Sequence, residues 1–138
     1  MRYPLAIHKD EDSCYGVTVP DIPGCFSAGD TVDEAIENVR EAIHGHLEIL
    51  AEDDIFAPNA SSLEELQGNS DYEGATWYLI DVDVSAFLKG TKKATVTLTR
   101  TVIARIDEQV AKGRAKSRSS FLAESAIHML NGCNRRGS

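Results

Sequence analysis

Residues Ala94–Thr99 read ATVTLT, threonine alternating with apolar side chains as in a β-strand. Helical spacing follows, from about Thr101 to Lys112 and again from about Arg118 to Leu130, with a loop at Gly113–Lys116 between. Strand, helix, helix is a short unit in which the lone strand has no neighbour of its own. Its backbone N–H and C=O groups need partners, and the simplest source is the same strand from a second copy. Two copies then form a two-stranded antiparallel ribbon on a base of four helices.

Alternation places Val96 and Leu98 on one side of the strand and Thr95, Thr97 and Thr99 on the other. The apolar side is expected to pack on Ile103, Ile106 and Val110 of the first helix. From the second helix it is expected to meet Phe121, Leu122, Ala126 and Met129. Lys93, Thr95 and Thr97 remain as an outward row, while Thr99 suits the N-cap of the next helix. This is the shape of ribbon-helix-helix DNA binders. A ribbon fits the major groove, where threonine reaches base edges or a thymine methyl. At Ser117–Ser119, Ser117 is a helix cap. The free amides at that helix start, with Arg118 and Ser119 beside them, suit a phosphate.

Charge is divided along the chain. Residues 1–90 carry four Lys/Arg against nineteen Asp/Glu, a balance of −15; residues 91–138 carry ten against three, a balance of +7. That division implies a cationic partner for the body and an anionic one for the tail. No apolar run approaches the length of a membrane span, and Arg2, Tyr3, Pro4 and Leu5 do not open a secretory signal. Cysteines at 14, 25 and 133 fit neither a disulfide framework nor a CxxC metal site, so a reduced, cytoplasmic setting is expected.

The body, residues 1–88, reads as three strands, a helix and a strand, followed by a tail at 89–138. Tyr3–His8 alternates as a strand, with Pro4 suggesting an edge. Tyr15–Val19 completes a hairpin, and Cys25–Ala28 is a short third strand beyond the turn Pro20–Gly24 (PDIPG). Thr31 or Asp30 caps a long helix, Thr31 with Glu34 forming a capping-box pattern. Its apolar stripe is Val32, Ile36, Val39, Ile43, Leu47 and Leu50. Asp53–Gly74 is a polar loop with one helical turn at Ser62–Gln67. Thr76–Val82 (TWYLIDV) is the fourth strand, and Val84–Thr91 the hinge into the tail. A single sheet with one helix across it results, an α+β arrangement.

Catalytic chemistry finds little footing. Asp81 and Asp83 alternate on the fourth strand and would need Asp10 or Asp12 to hold Mg²⁺ as a nuclease does. The first strand has no acid at its middle, and solvated surface is the simpler reading. His44 and His46 point about 200° apart on one helix, and His46 borders the apolar stripe as a core neighbour. His8 and His128 stand alone. Cys25 has no base to activate it, and no glycine-rich phosphate loop is present.

With these residues in view, the chain resembles the HicB family of type II antitoxins. Tyr15–Ile43 (YGVTVPDIPGCFSAGDTVDEAIENVREAI) carries the resemblance through PDIPGC, GDT and EA at the family's spacing. Thr76–Ser85 (TWYLIDVDVS) resembles the family's last body strand, and the tail resembles its ribbon-helix-helix version. The resemblance implies a degraded RNase H-like body that binds a HicA-type toxin, a small basic mRNA-cleaving protein. It also implies a tail that represses the operon by binding double-stranded operator DNA. Which body residues touch the toxin does not follow from the motif. The expectation is therefore a dimeric or larger antitoxin and autorepressor, with no enzymatic activity, cofactor, metal or membrane. A metal-dependent nuclease using Asp10, Asp81 or Asp83 is one alternative. The other is a ribbon-helix-helix regulator whose body senses a small molecule.

Overall fold

The computed structural model describes residues 1–9, 11, 14–88, 90 and 92–136, with side chains as far as residue 132. The strands are β1 (Arg2–Lys9), β2 (Tyr15–Thr18), β3 (Phe26–Gly29) and β4 (Thr76–Asp81). The helices are α1 (Val32–Glu52), α2 (Leu63–Gln67), α3 (Arg100–Ala111) and α4 (Arg118–Arg136). Short 3₁₀ turns form at Ser70–Tyr72 and Val84–Phe87. The chain divides into two compact units, Met1–Val82 and Asp83–Ser138.

In the first unit the four strands form an antiparallel sheet in the order β3-β2-β1-β4. Tyr3, Leu5 and Ile7 of β1, Val17 of β2 and Ile80 of β4 share one face through the register, and all are buried. Against that side of β2 and β3 lies α1, whose buried row is Ala35, Val39, Ile43, Leu47 and Ala51. The expected stripe is therefore shifted. Val32, Ile36 and Leu50 are half-buried at its margins. Two alanines take the ends of the row, where a larger side chain would hold the helix off the sheet. Gly29 belongs to the same contact: a Cβ there would sit 2.5 Å from the backbone N of Ala35. Thr31 caps α1, its Oγ1 accepting from the Glu34 N–H at 3.1 Å.

Pro4 is not at a sheet edge. It lies in β1, which is flanked by β2 and β4, and the ladder explains why a proline is tolerated there. Met1 and Val82 exchange both backbone bonds, Val82 N to Met1 O at 2.8 Å and Met1 N to Val82 O at 2.7 Å. Antiparallel pairs alternate between bonded and non-bonded, so Tyr3↔Ile80 is bonded and Pro4↔Leu79 is not. The nitrogen of Pro4 thus points toward β2, whose pairing with β1 begins only at Ala6. No ladder bond is lost.

The turn Pro20–Gly24 closes on itself through Val19 N to Cys25 O, Ile22 N to Val19 O and Cys25 N to Ile22 O, at 3.0–3.2 Å. Gly24 takes φ +79° there. The polar stretch after α1 is tied down by contacts the sequence did not announce. The Tyr3 hydroxyl donates to Pro58 O at 2.6 Å, and Asp21 accepts from the N–H and hydroxyl of Ser61. Ser62 caps α2, as its position before Leu63 predicts.

In the second unit Thr99 caps α3 by accepting from Val102 N at 3.3 Å, and Gly113 takes φ +77° in the interhelical loop. The segment read as a hinge contains the 3₁₀ turn, with Val84 buried. Ile106 of α3 and Ile127 of α4 are buried. Three other positions of the expected two-copy core are uncovered in the single chain: Val96 is 61 % and Met129 68 % exposed, and Ala126 is exposed. Ile127, one residue on from Ala126, is buried instead, and α4 runs on past the expected Leu130 to Arg136. Residues 92–99 adopt neither helix nor strand in the single chain, which supplies nothing to cover Val96.

Gly29→Ala is expected to lower stability by about 1–3 kcal/mol through overpacking against the start of α1. Urea unfolding followed by circular dichroism checks this as a fall in the transition midpoint.

Candidate functional site

Lys93, Thr95 and Thr97 are exposed on the segment leading into α3. Residues 92–98 make no backbone hydrogen bond with any other described residue. Their N–H and C=O groups therefore stand available along one continuous stretch, with Val96 uncovered between the threonines.

At the second part of the predicted site, Ser117 caps α4. Its Oγ accepts from Ser120 N at 3.1 Å, and its carbonyl accepts from Phe121 N at 3.0 Å. The N–H groups of Arg118 and Ser119 are left without a partner among the described residues. These are the orphan donors of a helix start, where the dipole favours an anion. Ser119 is exposed beside them.

Arg118 differs from its expected role. Its Nε and Nη2 donate to the two carboxylate oxygens of Asp107, each at 2.8 Å, a bidentate clamp between α4 and α3. The hydrogen bond and charge of Arg118 hold the Asp107 carboxyl below its ordinary range, and Asp107 raises the guanidinium in turn. The neighbouring cations are engaged as well: Arg114 Nη1 donates to Gln109 Oε1 at 3.3 Å, and Lys116 lies 3.5 Å from Asp83. Spacing gave no hint of these pairings, because Asp107 and Arg118 meet only once the loop folds α4 back beside α3.

In the first unit the carboxylates considered for metal binding have other partners. Asp81 ends β4 and pairs with Arg2, Nε to Oδ1 at 2.9 Å, which raises the guanidinium pKa. Asp83 is not on the strand with Asp81; it precedes the 3₁₀ turn and belongs to the second unit. Burial alone would raise the Asp83 pKa, but the Ser85 hydroxyl at 2.7 Å and Lys116 outweigh it, and the net shift is downward. Asp10 and Asp12 lie outside the described residues. Among those described, no three His, Cys, Asp or Glu side chains gather to hold a metal ion. Cys25 is buried, which pushes its thiol pKa up and away from nucleophilic use. His46 is half-buried, its Nδ1 3.0 Å from Ala42 O, as a neighbour of the helix core. No helix among the described residues is long and apolar enough to cross a membrane.

Comparison with known proteins places this geometry. The family model described as "HicB_like antitoxin of bacterial toxin-antitoxin system" matches residues 3–126. The crystal structure of the Burkholderia pseudomallei antitoxin HicB superposes with a TM-score of 0.73 and 46% identity, over 95% of this chain and 99% of that one. A chain in a HicA3–HicB3 toxin–antitoxin complex matches at TM-score 0.50 and 27% identity, over 59% of this chain and 96% of that one. An uncharacterized 14.9 kDa protein from the rep–hol intergenic region of Haemophilus phage HP1 is 38% identical across 94% of this chain and 98% of its own length.

Asp83 yields a pH prediction. Its folded pKa lies below the ordinary 3.8, so its contribution to stability is complete above that value. The contribution disappears as pH falls through the depressed value. Asp83→Asn is expected to flatten the acid limb of the stability profile below about pH 4, as read by thermal melts across pH.

Proposed function

Because the chain belongs to the family of HicB-like antitoxins of bacterial toxin–antitoxin systems, we propose that it neutralises a HicA-type toxin through its first unit and represses its own operon through its second. The observation that carries the DNA-binding half is the stretch 92–98, bare of backbone partners, with exposed Val96 at its centre. In a dimer the same stretch from two copies pairs as an antiparallel ribbon. Val96 and Leu98 then settle on the paired helices α3 and α4, and Lys93, Thr95 and Thr97 project into the major groove. This is the ribbon-helix-helix arrangement, joined to a degraded RNase H-like body.

Phosphate contact is assigned to Lys93 and to the open amides of Arg118 and Ser119, capped by Ser117. The Arg118 guanidinium stays on Asp107 and keeps that helix start in place. For the first unit, the HicA3–HicB3 complex supports a toxin partner. The acidic balance of residues 1–90 suits a basic, RNA-binding protein, since complementary charge speeds encounter and rejects wrong partners. No catalytic step is assigned, and the function needs none: blocking a toxin and covering an operator are both binding events. A cytoplasmic location accompanies both roles.

Thr97→Ala is expected to weaken specific operator binding by about 1–3 kcal/mol per disrupted base contact while leaving scrambled DNA unaffected. Lys93→Ala is expected to weaken both and reduce the slope of log affinity against log salt by about one, whereas Arg118→Ala leaves that slope unchanged. Fluorescence anisotropy at several salt concentrations separates the three. Co-expression of residues 1–82 with a HicA-type toxin is expected to yield a copurifying complex. Its absence, with the truncated unit folded, contradicts the toxin assignment.

A further inference from the structure

Two cations at the start of α4 are held by carboxylates of their own unit, and the two holds are built differently. Arg118 sits on Asp107 through a pair of hydrogen bonds of 2.8 Å each, the geometry of a clamp between helices. Lys116 is the residue before the cap Ser117, and its Nζ lies 3.5 Å from Asp83 Oδ2. That contact is single and long, and only one of its ends is fixed.

The fixed end is Asp83, which opens the second unit. The Ser85 hydroxyl donates to its Oδ1 at 2.7 Å. Ala86 N donates to Asp83 O at 3.2 Å and Leu88 N to Ser85 O at 3.3 Å, winding Val84–Phe87 into its 3₁₀ turn. Val84 is buried in that turn, which packs against α4. The Asp83 side chain is 28 % exposed and the Lys116 side chain 76 %. A carboxylate is thus built in at a set place, and a mobile ammonium comes to it. Against the opposing pull of burial, Ser85 and Lys116 hold the Asp83 pKa below the ordinary 3.8, so the carboxyl is ionised at neutral pH.

We infer that Asp83 is an internal competitor for DNA phosphate: it occupies Lys116, a further phosphate-binding cation at the start of α4, and so lowers the affinity of the tail for DNA of any sequence. The inference rests on the tail binding DNA as proposed above. Lys116 adjoins the helix start whose open amides, on Arg118 and Ser119, favour an anion. Carboxylate and phosphate therefore ask for the same ammonium. The carboxylate is tethered in the same unit and needs no encounter, whereas the phosphate must arrive from solution. Departure of Lys116 would also leave the half-buried Asp83 with Ser85 alone, and a partly buried pair is screened less by salt than an open one. Each cation brought to phosphate adds about 0.9 to the salt slope of binding. Holding one back lowers that slope without touching a base, so operator and other sequences are affected alike.

The test uses the full chain and a random-sequence DNA duplex, with fluorescence anisotropy read across a salt series. Asp83→Asn removes the charge while keeping the shape and the acceptor for Ser85. It is expected to bind about fivefold more tightly at roughly 0.15 M salt, with a salt slope steeper by about 0.9. Lys116→Ala, at an exposed position, is expected to change neither quantity in the unaltered chain and to cancel the whole gain in the double variant. Acetylation of lysines followed by mass spectrometry gives a second readout: the duplex should shield Lys116 in Asp83→Asn and leave it reactive in the unaltered chain. Circular dichroism checks folding, and Asp83→Ser, which also removes the charge, repeats the arm should the asparagine variant misfold. A folded Asp83→Asn with unchanged affinity and slope overturns the inference. So does a gain that survives in the double variant, since the carboxylate then acts by general repulsion, and so does shielding of Lys116 in the unaltered chain. If the unaltered chain binds no duplex at any salt concentration, and Lys93→Ala is equally inert, the DNA-binding reading itself fails and this inference falls with it.

Discussion

Every backbone N–H and C=O group of a strand needs a partner, in the protein or in water, and that requirement organises this protein from end to end. It puts β1 in the middle of the sheet with Pro4 turned where no strand runs, and it recruits Asn38 to close one carbonyl of the β3 edge. It also leaves two sets of groups open, along β4 and along residues 92–98. In the single chain both sets face solvent. Side chains and charge then decide what those open groups can meet.

Charge does most of that deciding. Carboxylates and cations are sorted to opposite ends of the chain, so each end favours a partner of the other sign. Within the tail, however, formal charge overstates what is available. Arg114, Lys116 and Arg118 are each engaged within their own unit, whereas Lys92 and Lys93 have no such partner among the described residues. The cations nearest α4 are therefore held within the unit, and Lys92 and Lys93 on the segment before α3 are left exposed.

Much of this was legible from the chain. The helix caps Thr31, Ser62, Thr99 and Ser117 all serve as their spacing indicated, because capping is a local exchange of one side-chain oxygen for one orphan N–H. The β1–β2 hairpin, the strand before Val82 and the two tail helices are local in the same way. The misreadings share a cause. Pro4 was assigned to an edge because proline lacks an N–H, yet which side that N–H would face depends on β4, some seventy residues away. The α1 stripe was drawn through its large residues, but the sheet's closeness at Gly29 favours an alanine, Ala35, at the start of the buried row. Arg118 was read from its neighbours in sequence and found its partner on another helix.

What the sequence determined by itself was periodicity, caps, the charge division and the family motif, all properties of residues within a few positions of one another. What the tertiary structure decided was which of those residues are free. Strand order fixed the direction of every N–H in the sheet, and the packing of α3 beside α4 turned a cationic loop into a clamp. Those outcomes rest on contacts between residues far apart in the chain, whose distances are set only when the backbone has closed around its core.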